Sequence, residues 1–129
     1  MTAPMITIVD DDESVRDGIV DLVTAMGFDA QAFARADQFL RSSRVDRTSC
    51  LITDIRMPGM SGLDLLDRLA ASGREIPTIM ITAFPTEAER ARARQAGVIC
   101  YLVKPFDEAQ LVACISASIG PGQPDRSGS

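Results

Sequence analysis

The chain has 129 residues, a formal net charge of −5 and no histidine, and its length is that of a single domain. Without histidine it cannot contain a Ser-His-Asp triad, a Cys-His dyad, a zinc site with imidazole ligands or a phosphohistidine. An acidic chain without tryptophan also lacks the positive charge and the aromatic platform on which nucleic acids bind, so we expect no direct nucleic-acid binding by this chain.

Short apolar runs alternate with segments of helical spacing in the first half of the chain. Met5–Val9 is rich in β-branched residues and predicts a buried strand. From Ser14 the apolar residues fall at helical spacing, and Gly27 supplies a C-terminal stop for this helix. A second strand, a short helix and a third strand are predicted over 28–33, 36–40 and 50–53.

The second half of the chain repeats this alternation. Pro58-Gly59 marks a loop, and the leucine-rich segment after it predicts a helix that Gly73 closes. Apolar runs and two patterns that resemble capping boxes predict the rest, namely a strand over 78–81, a helix over 86–97, a strand over 99–103 and a helix over 107–119.

Five predicted strands thus alternate with five predicted helices. Because the strands are short, continuous apolar runs, both faces of the sheet are covered, and such a sheet is parallel and central. Right-handed crossovers with one reversal of direction give an α/β fold with a doubly wound five-stranded parallel sheet. We expect residues 1–119 to form this domain and the Gly-, Pro- and Ser-rich segment 120–129 to be a flexible tail or truncated linker.

The three cysteines, Cys50, Cys100 and Cys114, stand apart in apolar stretches, and none forms a C-x-x-C motif. This pattern favours buried, reduced thiols in a cytosolic protein over redox or metal roles. No apolar run approaches the ~20 residues of a membrane span, and the start of the chain lacks the basic residues of a signal peptide. We therefore expect a cytoplasmic protein with no membrane association.

Polar residues collect at the carboxyl ends of the predicted strands, where doubly wound sheets bind ligands. They are Asp10 and Asp11 after the first strand, Asp54 after the third, Thr82 after the fourth and Lys104 after the fifth. Carboxylates a few ångströms apart repel, and Lys104 together with a divalent cation would offset that repulsion. Ligands that are all oxygen select a hard cation such as Mg²⁺ or Mn²⁺. The cation, Lys104 and the Thr82 hydroxyl would hold a phosphoryl group, for which Asp54 is the candidate acceptor.

Four pieces of the sequence resemble the receiver domain of two-component response regulators, over about residues 4–119. The pieces are Ile8-Val9-Asp10-Asp11, Thr53-Asp54-Ile55-Arg56-Met57-Pro58-Gly59-Met60-Ser61-Gly62, Ile81-Thr82-Ala83 and Lys104-Pro105-Phe106. The resemblance implies a flavodoxin-like receiver fold with strand order 2-1-3-4-5 and a cis bond between Lys104 and Pro105. Arg56 and Phe106 look like the branch whose receivers usually precede a LuxR-type helix-turn-helix domain, so we expect either a stand-alone receiver or one cut in its linker.

The resemblance also implies a role for each residue of the acidic pocket. Asp54 resembles the phosphoacceptor, and Lys104 resembles the lysine that contacts a phosphoryl oxygen. Asp11 resembles the direct metal ligand, joined by the Asp54 carboxylate and the backbone carbonyl of Arg56. Asp10 resembles the second acidic residue, which acts through metal-bound water.

Further positions are implied for switching and for the lifetime of the phosphorylated state. Thr82 resembles the switch hydroxyl that closes onto the phosphoryl group, and Tyr101 occupies the position of the switch aromatic residue. Arg56 and Phe84 occupy the two positions that flank the approach of the hydrolytic water. A large apolar ring and a long side chain there predict slow self-hydrolysis.

The resemblance implies a signalling module that takes a phosphoryl group from a sensor histidine kinase or a small phosphodonor. The surface of helix 4, strand 5 and helix 5 would then change and carry partner binding or formation of a homodimer. No enzymatic activity is expected beyond self-phosphorylation and self-dephosphorylation.

One alternative is a phosphoaspartyl hydrolase of the haloacid-dehalogenase type, but Asp54-Ile55-Arg56 lacks the second Asp of that motif, and 129 residues leave no room for a cap domain. A third reading is a degenerate receiver that is never phosphorylated, against which the intact acidic pocket, Thr82 and Lys104 argue.

Overall fold

The structure is a computed structural model that describes residues 3–119 of the chain. The strands are β1 Met5–Val9, β2 Asp29–Phe33, β3 Thr48–Asp54, β4 Thr78–Thr82 and β5 Cys100–Val103. The helices are α1 Glu13–Ala25, α2 Ala36–Arg41, α3 Gly62–Ala71, α4 Glu87–Gln95 and α5 Glu108–Ile119, with a short 3₁₀ turn over Val45–Arg47. The expected domain boundary at 119 stays a prediction, because the tail 120–129 lies outside the described residues.

The five strands form one parallel sheet in the order β2-β1-β3-β4-β5. This confirms the predicted doubly wound fold and places the carboxyl ends of β1 and β3 side by side, with β4 and β5 following. The peptide bond between Lys104 and Pro105 is cis, as the resemblance implied. No helix among the described residues is long and apolar enough to cross a membrane.

Apolar side chains cover both faces of the sheet, as the continuous apolar strands predicted. On one face, α1 and α5 pack through residues such as Ile19, Val23 and Ile115 onto Ile8 and Ile52. The other face is covered by two smaller clusters under α2 and α3 and near α4. Both layers are fully buried at their centres, so the sheet is a rigid platform for the residues at its edge.

Helix α4 is the exception to this apolar packing. Ala93 is its one buried residue. Polar and stacking contacts attach the rest of the helix: Arg92 Nη2 lies 3.3 Å from Asp64 Oδ1 and 2.6 Å from Asp67 Oδ2 of α3. A helix held in this way contributes little hydrophobic stabilisation to its own position.

The helix starts differ in detail from the predicted capping boxes. The expected box at Thr86 forms only its forward half, in which Thr86 Oγ1 accepts from the N–H of Glu89, because the Glu89 carboxylate turns instead to Arg56. A complete capping box occurs at α3, where Ser61 and Asp64 exchange both hydrogen bonds. This box was not predicted, because its third position holds Asp64 instead of the usual Glu or Gln.

The prediction that all three cysteines are reduced is wrong in this structure. Cys100 of β5 and Cys114 of α5 form a disulfide, and their Cα atoms are 6.0 Å apart. Cys100 faces the same side of the sheet as α5, and Cys114 lies on the inner face of that helix, so tertiary packing brings the two sulfurs together. A separation of 14 residues carries no motif from which this pairing could be predicted. Cys50 is free and buried, as expected.

Candidate functional site

Three carboxylates meet at the carboxyl edge of the sheet. Asp10 and Asp11 directly follow β1, and Asp54 is the last residue of β3, the neighbouring strand. One oxygen from each of the three carboxylates lies within 4.8 Å of the others. Asp10 and Asp54 are buried, at 0% and 6% exposure, whereas Asp11 is exposed. The predicted acidic cluster is therefore assembled, with its open side at Asp11.

Lys104 joins the two buried carboxylates. Its Nζ donates to Asp54 Oδ2 at 3.0 Å and to Asp10 Oδ2 at 3.1 Å. Burial alone would lower the pKa of Lys104, but the hydrogen bonds and charges of Asp54 and Asp10 outweigh it, so the pKa is raised. The ammonium group therefore stays charged at neutral pH and neutralises part of the cluster.

Asp10 is the most deeply buried member of the cluster. Burial raises its pKa, and the opposing contributions of the Asp12 N–H and of Lys104 do not cancel that effect. Asp10 Oδ1 accepts from the Asp12 N–H at 2.9 Å, which fixes the carboxylate. Arg16 Nη1 of α1 donates to the backbone carbonyl of Asp10 at 2.8 Å. The contact of Arg16 was not predicted, since an arginine in the first turns of a helix carries no motif.

A glycine allows the loop after β3 to pass tightly over Asp54. A Cβ atom added at Gly62 would collide with the backbone carbonyl oxygen of Asp54. The N–H of Gly62 also donates to the carbonyl of Ile55 at 2.9 Å. On the other side, the N–H of Arg56 approaches Asp54 Oδ1 at 3.3 Å. The first residue of α3 therefore packs directly against the backbone of Asp54, the candidate phosphoacceptor.

Thr82 ends β4 at the same edge of the sheet and is fully buried. Its Oγ1 accepts from the N–H of Phe84 at 3.1 Å, and its backbone carbonyl accepts from the N–H of Lys104 at 2.8 Å. Asp54 pairs with Ile81, the residue before Thr82, across the β3–β4 ladder. The predicted hydroxyl thus lies one residue beyond the partner of Asp54.

Tyr101 lies on the face of the sheet that α3 and α4 cover. Its half-buried ring packs against a cluster of Ile55, Leu63, Met80 and Ala93. The hydroxyl oxygen is buried and has no hydrogen-bond partner among the described residues. The ring is therefore already directed inward, with a polar atom that is not satisfied there.

Arg56 and Phe84 come together from two different loops. Arg56 Nη2 lies 3.4 Å from the carbonyl oxygen of Phe84 and 3.4 Å from Glu89 Oε1 at the start of α4. The Arg56 guanidinium carbon is 5.9 Å from the centroid of the Phe84 ring, which is 67% exposed. The loop after β3 is thereby tied to the loop after β4. Glu89 was not predicted to be part of the site, because its predicted role was to cap α4.

A groove of about 600 Å³ adjoins the acidic cluster between α1 and α5. Lys104, whose Nζ contacts Asp10 and Asp54, lines the groove together with Pro105. Its apolar lining includes Val15, Ile19, Leu22, Phe106 and Leu111.

Residues 6–116 match the family model described as the response regulator receiver domain. The chain is 36% identical over 117 residues to Nodulation protein W of Bradyrhizobium diazoefficiens, and the alignment covers 91% of this chain and 52% of that protein. The identity and both coverages are the same for Response regulator protein TodT of Pseudomonas putida. The transcriptional regulatory protein FixJ of Azorhizobium caulinodans is 34% identical over 113 residues, which is 88% of this chain and 54% of FixJ. The chain thus spans about half the length of these relatives.

Solved structures agree with this assignment. The low-resolution structure of response regulator StyR has 40% identity and a TM-score of 0.82, over 92% of this chain and 60% of that one. The receiver protein from Burkholderia phymatum has 35% identity and a TM-score of 0.78, over 91% of this chain and 95% of that one.

The chain belongs to the response regulator receiver family of two-component signalling systems. Its relatives are response regulators of the FixJ, TodT and NodW type, so the resemblance drawn from the motifs is confirmed. None of these matches supports the alternative of a phosphoaspartyl hydrolase.

Proposed function

We propose that the chain takes a phosphoryl group onto Asp54 from a phosphohistidine of a sensor histidine kinase, or from a small phosphodonor. The observation that carries this proposal is the pair of hydrogen bonds from Lys104 Nζ to Asp54 and Asp10. These hydrogen bonds hold the positive charge of Lys104 beside the buried carboxylate of Asp54, at the open edge of a rigid sheet. This arrangement supplies the positioning and charge neutralisation on which phosphoryl transfer depends.

The residues present fit a hard divalent cation, Mg²⁺ or Mn²⁺. The donor set consists of oxygen atoms only, and three carboxylates share one ammonium group, so negative charge is left over. Asp11, Asp54 and the backbone carbonyl of Arg56 would hold the ion directly, and Asp10 would hold it through water. The ion, when bound, supplies positive charge that neutralises the phosphoryl oxygens.

In the transfer itself, an Asp54 carboxylate oxygen forms a bond to phosphorus while the bond from phosphorus to the donor nitrogen breaks. The electron pair of that bond leaves with the donor imidazole. Lys104 keeps its proton and holds one phosphoryl oxygen. The pocket is open at Asp11, where a donor can approach.

After transfer, the Thr82 hydroxyl would turn from the Phe84 N–H to donate to a phosphoryl oxygen. That movement would change the packing space of Tyr101 and shift the surface of α4, β5 and α5 between two states. We propose that this surface then binds a partner or a second copy of the chain. We also propose that this chain does not itself bind nucleic acid.

The same site sets how long the signal lasts. Hydrolysis joins a water oxygen to phosphorus, breaks the bond to Asp54 and releases inorganic phosphate. We propose that Arg56 and Phe84 restrict the approach of that water, and that the chain has no other enzymatic activity. We also propose a cytoplasmic location, where a kinase and Mg²⁺ are available.

The direct test is intact-mass analysis after incubation with acetyl phosphate and MgCl₂. We expect the addition of one phosphoryl group, which fragmentation maps to Asp54, and no addition in Asp54→Asn, which keeps the shape but removes the nucleophile. Asp21→Asn, at an exposed position of α1, is the matched control and should be modified like the parent. Phosphorylation of Asp54→Asn at the parent level would falsify the proposal.

A further inference from the structure

The disulfide between Cys100 and Cys114 is placed between two elements of the proposed output surface. Cys100 is the first residue of β5, and Cys114 lies in the middle of α5. The bond therefore joins the helix covalently to the strand that it covers. The Cα separation of 6.0 Å lies in the ordinary range for disulfides.

The fold does not depend on this crosslink. Cys114 belongs to the large apolar cluster on the α1–α5 face of the sheet, and Cys100 packs against that cluster. A reduced thiol behaves as a small apolar group and is tolerated in such a core. A domain of this length buries enough apolar surface to fold without a disulfide. The pair can thus be oxidised or reduced while the domain stays folded.

The three cysteines differ in their access to solvent. Cys100 is half-buried, whereas Cys114 is buried. Cys50 is fully buried, and burial raises the pKa of its thiol to about 11. Since the thiolate is the reactive form, Cys50 is protected from exchange. Thiol–disulfide exchange is therefore confined to Cys100 and Cys114.

We propose that Cys100 and Cys114 form a reversible redox site whose co-reactants are low-molecular-weight disulfides and thiols of the glutathione class, and that oxidation fixes α5 on β5. The inference rests on the proposed function only for the cytoplasmic location, where disulfides are usually transient or redox-sensing. In the oxidation, the Cys100 thiolate attacks one sulfur of the small disulfide and expels a small thiolate. The Cys114 thiolate then attacks Cys100 Sγ in the mixed disulfide and expels the second. Two protein thiols and one small disulfide become one protein disulfide and two small thiols.

The test is a titration of the native protein in mixtures of reduced and oxidised glutathione, followed by alkylation under denaturing conditions and mass analysis to count all thiols. We expect one thiol per chain in mostly oxidised mixtures and three in mostly reduced ones, with Cys100 and Cys114 changing together. A pair that stays reduced in oxidised glutathione overturns the proposal. A pair that stays oxidised in reduced glutathione also overturns it, because the bond would then be a permanent crosslink.

Two further measurements follow the helix itself. Amide exchange of residues 108–119 should be slower in the oxidised form, and the melting temperature should be higher by about 10 °C, the size expected for closing a loop of this length. Cys50→Ser should keep both differences, and Cys114→Ser should abolish both. Equal α5 exchange in the two redox states would overturn the claim that oxidation fixes the helix. No phosphodonor enters these experiments, so their failure is distinct from a failure of Asp54 phosphorylation.

Discussion

Arg90 of α4 stacks on Tyr101 of β5, with its guanidinium carbon 4.4 Å from the centroid of the ring. The arginine closes the solvent side of a tyrosine whose hydroxyl is buried without a partner. A stacked arginine of this kind contributes about 0.5–1 kcal/mol at an exposed site. The inward position of the ring is therefore held from outside by α4 as well as by the apolar cluster beneath it.

Removal of this cover should be visible in fluorescence, because Tyr101 is the only tyrosine and the chain has no tryptophan. We expect Arg90→Ala to make tyrosine emission more accessible to acrylamide quenching, since one face of the ring becomes exposed. Arg94→Ala, an exposed arginine on the same helix, is the control and should leave quenching unchanged. Equal quenching in the parent and Arg90→Ala would show that the stacking does not shield the ring.

The same emission reports whether Thr82 is coupled to Tyr101. We expect phosphorylation of the parent to change tyrosine emission, and Thr82→Ala to lose most of that change, because no hydroxyl moves toward the phosphoryl group. Thr24→Ala, at an exposed position of α1, should behave like the parent. A full phosphorylation-dependent change in Thr82→Ala would mean that the tyrosine responds by another route.

Asp11 should contribute to metal binding. Without a bound metal ion, its negative charge should lower the stability of the fold. Asp11→Asn removes one anionic ligand, and even residues that only orient metal ligands affect affinity by about 10–100-fold. We therefore expect Mg²⁺ affinity to fall by more than about tenfold, and the melting temperature without Mg²⁺ to rise, because repulsion with Asp10 and Asp54 is relieved. Titration of Mg²⁺ beside a melting curve checks both, with Asp21→Asn as the control. Unchanged Mg²⁺ affinity would remove Asp11 from the ligand set.

The lifetime of the phosphorylated state should shorten when Phe84 is truncated. Phe84→Ala removes the apolar ring beneath Arg56 and opens the approach of water. We expect hydrolysis to become several-fold faster, since about 1 kcal/mol of barrier corresponds to about a fivefold rate. The decay of phosphorylated protein, followed by intact mass, checks this, with Ile99→Ala as the control because Ile99 is also an exposed apolar residue, at 46%. Equal or slower decay with unchanged Mg²⁺ affinity would show that the ring does not guard the water.

Gly62 and Gly18 offer a matched pair of substitutions to alanine. At Gly62 the new methyl group meets the Asp54 carbonyl, so we expect destabilisation by about 1–3 kcal/mol together with slower phosphorylation. At Gly18, on the surface of α1, nothing lies within 4 Å of the new atom, and the better helix propensity of alanine should stabilise by about 0.5–1 kcal/mol. Urea denaturation of the two variants gives the comparison. Similar stability of Gly62→Ala and the parent would mean that the loop can move away from Asp54.

The sheet and the acidic pocket were predictable because their signals are local in sequence. Apolar runs of four or five residues mark four of the five strands, and the residue that follows each run lies at one edge once the strands are parallel. The sequence alone therefore predicts that Asp10, Asp54 and Lys104 lie close together. The strand order itself came from the resemblance and not from the residues.

The features that sequence analysis missed depend on side chains that meet only after folding. The contact between Arg56 and Glu89 joins residues 33 positions apart, and Arg16 reaches a backbone carbonyl rather than a side chain. The Cys100–Cys114 bond depends on the rotation of α5 over β5. None of these has a spacing rule, whereas the polar loop residues follow the strands directly.

Because α4 is held by one buried alanine and by contacts of several arginines, its position should depend on ionic strength. At 0.15 M salt, charges on a protein surface are screened over about 8 Å, and at 1 M over about 3 Å. The contacts of Arg92 with α3 and of Arg56 with Glu89 are all at least partly exposed, so added salt weakens them. The apolar layers under α1 and α5 lose nothing by the same change. The concentration of ions around the protein therefore loosens one edge of the signalling surface and leaves the opposite edge in place.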